Sequence, residues 1–383
     1  VVRLFSCALL IVCVCTATSA WPEAGILPNE ILLGQSCDLS GPAWDRGQGV
    51  RAGLLAALQQ ANAAGGVYGR TVRLVTLDDG YDPERAVLNT QRLINAYGVF
   101  ALIGEVGARP SYAALPVAEK AGVPFLAPVT GAEFLYASLR PLLVNIRAGY
   151  RAELEQMVEY LVVRQKLTRI ACFYQSDTYE LSCVKDLEKI LAKRGLALVG
   201  SSQYESGTLA VKSAALSLLR SKPQAVILVG ALHPCAAFIR LAKKLGMDNV
   251  EFCALSFAGA LRFAPELGAA GEGVILSQVT PDPLKETTPL ITEFAQAMRS
   301  HQPEATPGFA SLEGYIAGRV FLKAAAAAGP NPTRASFMTA LEDLGAFDIG
   351  GIPLSFSPSD HQGLDQVFLF VIHKGKIEPF ESD

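Results

Sequence analysis

The feature that most constrains this chain is an alternation. Short apolar runs and longer runs with helical spacing follow one another, and the series occurs twice. The first begins with "ILLG" at Ile31 and continues through "VRAGLLAALQQANAAGG", which stops at Gly65-Gly66. "RTVRLVTLDD" alternates as a strand. "DPERAVLNTQRLINAYG" opens with Asp82 as N-cap and Pro83 in the first turn, and "VFALIG" is strand-like again. Strands separated by helices cannot pair as hairpins. They must lie parallel, with the helices covering the sheet. Near Asn145 to Tyr150 the series restarts: "RAELEQMVEYLVVRQK", "RIACFYQ", "ELSCVKDLEKILAKRG", "ALVGSSQY", "AVKSAALSLLRSK", "AVILVG", "PCAAFIRLAKKLG" and "VEFCALS". A third section after Pro281 holds helices at Leu290–Ser300, Leu312–Ala328 and Arg334–Leu344, then a closing strand "QVFLFVIHKGK".

The expected fold class is therefore α/β, with two doubly wound Rossmann-like lobes joined by a multi-strand hinge. Lobe 1 is assigned to residues 27–146 plus 281–350, and lobe 2 to residues 147–280 plus 351–383. The crossings expected to flex lie near Asn145–Ala148 and Gly273–Pro281. A chain of 383 residues exceeds one typical core, which agrees with two lobes. Residues 1–20 are set aside. Arg3, the apolar run from Leu4 to Cys15 and the small residues Thr18-Ser19-Ala20 have the anatomy of a cleaved signal peptide. Val12-Cys13 and Val14-Cys15 lack the small residue that precedes a lipidated cysteine. No later run is long enough for a membrane span.

Charged residues make up 18% and the net charge is −3, so neither a nucleic-acid footprint nor a polybasic membrane patch is present. Beyond Ala20 the cysteines are Cys37, Cys172, Cys183, Cys235 and Cys253, with no metal spacing. Cys172 and Cys183 are candidates for a disulfide in an oxidising compartment. Small buried hydrophobes are the favoured reading of all five. Phosphate-loop, dinucleotide-loop, zinc-protease and serine-elbow motifs do not occur, and the 4 histidines are scattered. Asp78-Asp79 read as turn and capping residues. No catalytic role, metal or cofactor is assigned, and the weight falls on binding.

The stretch "LIGEVGARPSYAALPVAEKAGVPFLAPVTGA" places two small-residue loops at neighbouring strand ends, where open α/β sheets bind ligands. Across the chain, Leu39-Ser40-Gly41-Pro42, Gly47, Gly49, Asn62, Gly65-Gly66-Val67, Gly69-Arg70, Asp78-Asp79, Asp82-Pro83, Ile103-Gly104, Pro116 and Val123-Pro124 form a pattern. "FASLEGYIAGRVFLKAAAAAG" and "GGIPLSFSPSDHQGLDQVFLFVIHKGK" extend it. Together these resemble the periplasmic solute-binding proteins of ABC importers, of the leucine/isoleucine/valine-binding type. The resemblance implies a periplasmic monomer that closes two lobes on a small molecule and delivers it to a permease and ATPase at the inner membrane.

Carried over by position, the resemblance implies first-lobe contacts at Trp44 to Arg46, Ala108 to Ser111 (with Arg109 a candidate carboxylate clamp), and Val129 to Gly131 including Thr130. Second-lobe contacts fall on Tyr179, Leu232-His233 and Ser256-Phe257. The family's acid for a ligand ammonium is missing from "CALSFAGA", where Ser256-Phe257 stand instead. A buried ammonium without a carboxylate costs several kcal/mol. The expected ligand is thus apolar or aromatic, such as an aromatic carboxylate, walled by Trp44, Tyr112, Val129 and Phe257. The alternatives are a branched-chain amino acid or amide, a lipid- or sterol-type ligand, and a sensory ligand-binding domain.

Overall fold

The computed structural model describes residues 23–285 and 287–380. The expected signal peptide, residues 1–20, lies outside the described residues. Lobe 1 opens with β1 (Glu30–Cys37), α1 (Trp44–Ala63), β2 (Thr71–Asp78), α2 (Pro83–Arg92), β3 (Ala101–Ile103), α3 (Ala108–Lys120), β4 (Phe125–Leu126) and β5 (Leu143–Val144). Lobe 2 follows with α4 (Tyr150–Val158), β6 (Ile170–Gln175), α5 (Thr178–Ala192), β7 (Gly200–Tyr204), α6 (Lys212–Arg220), β8 (Ala225–Val229), α7 (Leu232–Lys244), β9 (Glu251–Ala254), α8 (Ala260–Leu267) and β10 (Ile275–Gln278). The chain returns to lobe 1 for α9 (Pro289–His301), α10 (Phe309–Ala327), α11 (Arg334–Asp343), β11 (Ala346–Asp348) and β12 (Pro353–Ser355). It ends in lobe 2 with β13 (Phe368–His373) and β14 (Lys376–Pro379).

The first sheet runs β2-β1-β3-β4-β5, all parallel. The second runs β14-β13-β10-β9-β8-β6-β7, and its order reverses between β6 and β8 as the first reverses between β1 and β3. At such a reversal the loops leave in opposite directions and open a crevice at the carboxyl ends of the strands. Helices cover both faces of each sheet, so each lobe has two apolar clusters. In lobe 1, Leu33, Val50 and Phe294 pack on one face and Leu32, Leu102 and Phe125 on the other. In lobe 2, Phe173, Phe238 and Phe252 oppose Leu154, Cys172 and Leu187. Double-sided burial explains why β8 reads as an unbroken apolar run rather than an alternating one.

Several expectations need correction. The closing strand is a hairpin: Lys374 and Gly375 both have positive φ (50° and 72°), which matches a tight two-residue turn, and β13 pairs antiparallel with β10. Residues 351–364 do not belong to lobe 2, because Ile352, Leu354, Phe356 and Leu364 are buried in the lobe 1 core. The return to lobe 2 falls after Leu364. The second crossing begins after Gln278 rather than at Gly273, since β10 is still part of the second sheet. Cys172 and Cys183 are free, buried thiols, so the disulfide is absent and the hydrophobe reading holds. Among the described residues no helix is long and apolar enough to cross a membrane.

The first and third crossings brace each other. Asn145 N donates to the His361 carbonyl at 2.9 Å, and Gly363 N donates to the Asn145 carbonyl at 2.8 Å. The His361 ring lies 3.1 Å from the Leu143 carbonyl and 3.0 Å from Glu342 Oε1.

The packing of α1 against α10 sets the lobe 1 edge of the cleft. A Cβ on Gly53 would stand 1.8 Å from the Ser311 carbonyl oxygen, and one on Gly314 would stand 2.1 Å from that of Val50. The two backbones touch because those side chains are absent, which brings the N-terminal ends of α1 and α10 side by side. Alanine is the better helix former by about 1 kcal/mol, yet overpacking outweighs it here. Gly53→Ala is expected to destabilise the protein by about 3 kcal/mol, read as a lower urea midpoint in unfolding followed by circular dichroism.

Candidate ligand-binding cleft

The strand ends of the two sheets face each other across a cavity of about 1030 Å³. Lobe 1 contributes the first turn of α1, the loop after β2 and Arg109 at the start of α3. Lobe 2 contributes Gln175 and Gln278 at the ends of β6 and β10, together with the segments after β7, β8 and β9. The lobes touch around this space. Arg262 of lobe 2 pairs with Asp45 at 3.5 Å and its guanidinium lies 5.1 Å from the Trp44 ring centre. Phe257 of lobe 2 packs against Tyr81 at 6.3 Å between ring centres, and the Arg46 guanidinium lies 5.3 Å above it.

Tyr81 is held in an unusual backbone state, with φ of 65° following Gly80 at 59°. Left-handed tyrosine is costly and persists where its surroundings enforce it. Asp79 accepts from Tyr81 N at 2.9 Å, and the tyrosine ring occupies space that a Cβ on Gly107 would need, at 2.3 Å. Burial pushes the phenol pKa up, so Tyr81 presents a neutral hydroxyl. The carboxylates of "LDD" do the turn work expected of them. Asp78 accepts from Leu39 N and Gly80 N, both at 2.9 Å, while Asp79 also takes the Ser36 hydroxyl at 2.8 Å. Asp38 gathers the backbone N–H groups of Ser40, Gly41 and Ala43 and so shapes the loop that leads into Trp44.

Beneath the cavity lies a buried set of charges that joins the lobes. Arg147, at the first crossing, is 2.9 Å from Glu153 of α4 and 3.4 Å from Glu313 of α10. Glu313 also faces Arg46 at 3.7 Å. Glu153 accepts from Ser256 N at 2.8 Å, Ser256 Oγ at 2.9 Å and Ser277 Oγ. Arg46 donates to the Ser256 carbonyl at 2.5 Å, and Arg147 donates to Ser256 Oγ at 2.7 Å. Burial alone would lower the Arg147 pKa, but Glu313 and Glu153 overcome it and raise the pKa, keeping the guanidinium charged.

Of the residues singled out from sequence, Trp44, Asp45, Arg46, Arg109, Leu232, His233 and Phe257 line the cavity. The others do not reach it. Ala108 is packed into a core cluster with Tyr150 and Leu154, and Ser111 is fully buried with its hydroxyl unpartnered. Val129 lines a separate small cavity at the hinge. Thr130 is spent on the Tyr150 hydroxyl at 3.4 Å and on Ala132 N at 3.3 Å. Tyr179 packs at 5.5 Å from Tyr112 and 5.6 Å from Phe134, an aromatic contact between the lobes outside the cavity, so neither it nor Tyr112 is a cavity wall. Ser256 belongs to the buried charge set. Sequence reading missed Tyr81, Gln175, Gln278 and Arg262. The rule that ligands sit at strand ends covered the β2 and β10 loops as well, and applying it to every strand would have found Tyr81 and Gln278.

Two lobes with their strand ends turned inward around a partly enclosed cavity define a protein that clamps a small molecule. Comparison with known proteins agrees. The model of the periplasmic binding protein family matches residues 30–376, and the chain belongs to that family, whose members bind solutes rather than convert them. Leu/Ile/Val-binding protein homolog 7 of Brucella abortus (strain 2308) is 27% identical over 319 residues, 79% of each chain. A crystal structure of a possible leucine/isoleucine/valine-binding protein from Rhodopirellula baltica SH 1 superposes with a TM-score of 0.87 at 34% identity, covering 94% of this chain and 98% of the other. A substrate-binding periplasmic protein from Ralstonia solanacearum gives 0.84 at 29% identity, covering 91% and 99%.

Behind the lobe 1 loops sit acids that burial keeps from ionising easily. Burial outweighs the hydrogen bonds from Ser36 and Tyr81 and raises the Asp79 pKa to about 6. Glu105, 1% exposed and with both carboxyl oxygens unpartnered, is raised well above the usual range by burial. A carboxyl whose pKa is higher folded than unfolded binds its proton more tightly in the folded state. Its stabilisation is full below about pH 4 and is lost as pH rises through about 6. Replacing Asp79 by Asn is expected to remove on the order of 3 kcal/mol of the decline between pH 4 and pH 7. Urea unfolding of both proteins across that range measures the difference.

Proposed function

We propose that this protein is the substrate-binding component of an ABC import system and captures a small aromatic carboxylate between its lobes. The observation that carries the reading is Arg109. It lines the cavity without a hydrogen bond or ion pair to any described residue, whereas Arg46, Arg147 and Arg262 are each matched by a carboxylate. A guanidinium in a half-enclosed cleft favours a carboxylate, which it can hold through two parallel N–H donors. The free N–H groups at the start of α3 stand beside it. Trp44, Tyr81 and Phe257 offer ring surfaces for the body of such a ligand. No carboxylate of the buried set is free for an ammonium, which argues against an α-amino acid cargo. The cavity volume, about 1030 Å³, lies at the top of the range for small-molecule sites and favours a bulkier apolar acid as the second reading.

Calorimetry with 4-hydroxybenzoate, a long-chain fatty acid, and leucine, isoleucine and valine separates these readings. Binding of the aromatic acid is expected, with Arg109→Ala weakening it by about 2 kcal/mol. Micromolar binding of leucine with none of the aromatic acid would sink the proposal, and binding of the fatty acid alone would select the bulkier ligand. The same reading places the protein in the periplasm as a monomer, exported by residues 1–20 and serving an inner-membrane permease and ATPase. Amino-terminal sequencing of the exported protein is expected to begin at Trp21.

A further inference from the structure

We infer that Arg46 sets the charge preference of the cleft: it is a built-in counter-cation that withholds the Glu313 carboxylate from ligands and so turns away ammonium groups. This rests on the cleft being the ligand site, but not on the identity of the anion. Arg46 lies on the first turn of α1 and Glu313 on the second turn of α10, two helices that the glycine contact holds side by side. Arg46 lines the cavity, and Glu313 lies behind it, lining the small hinge cavity instead. The guanidinium thus stands between the carboxylate and the ligand space. It is fixed there by Glu313 at 3.7 Å, by the Ser256 carbonyl at 2.5 Å and by the Phe257 ring at 5.3 Å.

Charge counting shows what the arrangement does. Arg46 and Arg147 balance Glu313 and Glu153, so the buried set presents no net charge to the cleft. Arg147 alone faces both acids. Without Arg46 the set carries one uncompensated negative charge next to the cavity, where water is partly excluded and charge interactions are strong. A ligand ammonium entering at the Arg46 position would supply the missing cation. The wild-type side chain does so intramolecularly, without the entropic cost of association.

The test is a charge cycle with one neutral-ring probe pair, benzylamine and benzoate, measured by calorimetry on the full chain. Arg46→Gln leaves the set one charge negative and is expected to bind benzylamine at least tenfold more tightly than the wild type does. Arg46→Gln combined with Glu313→Gln restores neutrality and is expected to lose that gain, and Arg46→Lys is expected to behave as wild type. A folded Arg46→Gln that takes benzylamine no better than wild type overturns the inference, as does a gain that persists in the double variant. Should Arg46→Gln fail to fold, Glu313→Gln carries the test: with one positive charge in excess it is expected to tighten benzoate about tenfold, and an unchanged or weakened affinity overturns the inference. Failure of wild type to bind benzoate would count against the aromatic-carboxylate reading alone, because the benzylamine arms do not depend on it.

Discussion

The Arg147 guanidinium is the point on which the two lobes depend for their mutual arrangement. It sits on the first crossing, almost fully buried, between a carboxylate of lobe 1 and a carboxylate of lobe 2. Removing charges from water is expensive, and their attraction offsets the cost only when geometry and hydrogen bonding are close to complete. Here Glu153 also accepts from Ser256 and Ser277, and Arg147 also donates to Ser256. A set of this kind is intolerant of partial separation: movement of the lobes that breaks one contact leaves a buried charge without its partner. The lobe arrangement is therefore specified by electrostatics more sharply than apolar contact alone would specify it.

The apolar scaffold determines where those charges can be. Each sheet is sealed on both faces by helices, so polar side chains have few places to go except the strand ends. Reversal of strand order at β1/β3 and at β6/β8 opens a crevice in each lobe, and the three crossings turn the two crevices toward each other. The close approach of α1 and α10 then fixes Arg46 beside Glu313. Packing, topology and charge act in sequence, and the cleft inherits its polarity from the helix seam below it.

That polarity is specific. Most cations at the cleft are consumed by acids of the protein itself: Arg262 by Asp45, and Arg46 and Arg147 by Glu313 and Glu153. Arg109 is the exception. The cavity places that guanidinium with the rings of Trp44, Tyr81 and Phe257, and with the carboxylates of Asp82 and Glu304 also on its lining; under the proposed reading the rings contribute about 25 cal/mol per Å² of apolar area buried.

Alternating strand and helix periods, helix stops at paired glycines and the Asp82-Pro83 cap made the two-lobe α/β architecture legible from sequence, because those signals are local and recur at fixed spacing. The family resemblance, carried over by position, also brought Trp44, Arg46, Arg109, His233 and Phe257 to the cleft. Tertiary structure alone decided the rest. Whether Ser111 or Tyr179 faces a ligand depends on the rotation of a helix and on which aromatic rings the other lobe brings near it. The pairing of Arg46 with Glu313, and of Arg147 with Glu313, joins segments far apart in the chain through contacts between elements, and no local period encodes them. The acid missing from "CALSFAGA" was visible in the sequence, whereas the guanidinium set over the acid that remains was not. Charge compensation depends on distance in space, and only the folded chain sets that distance.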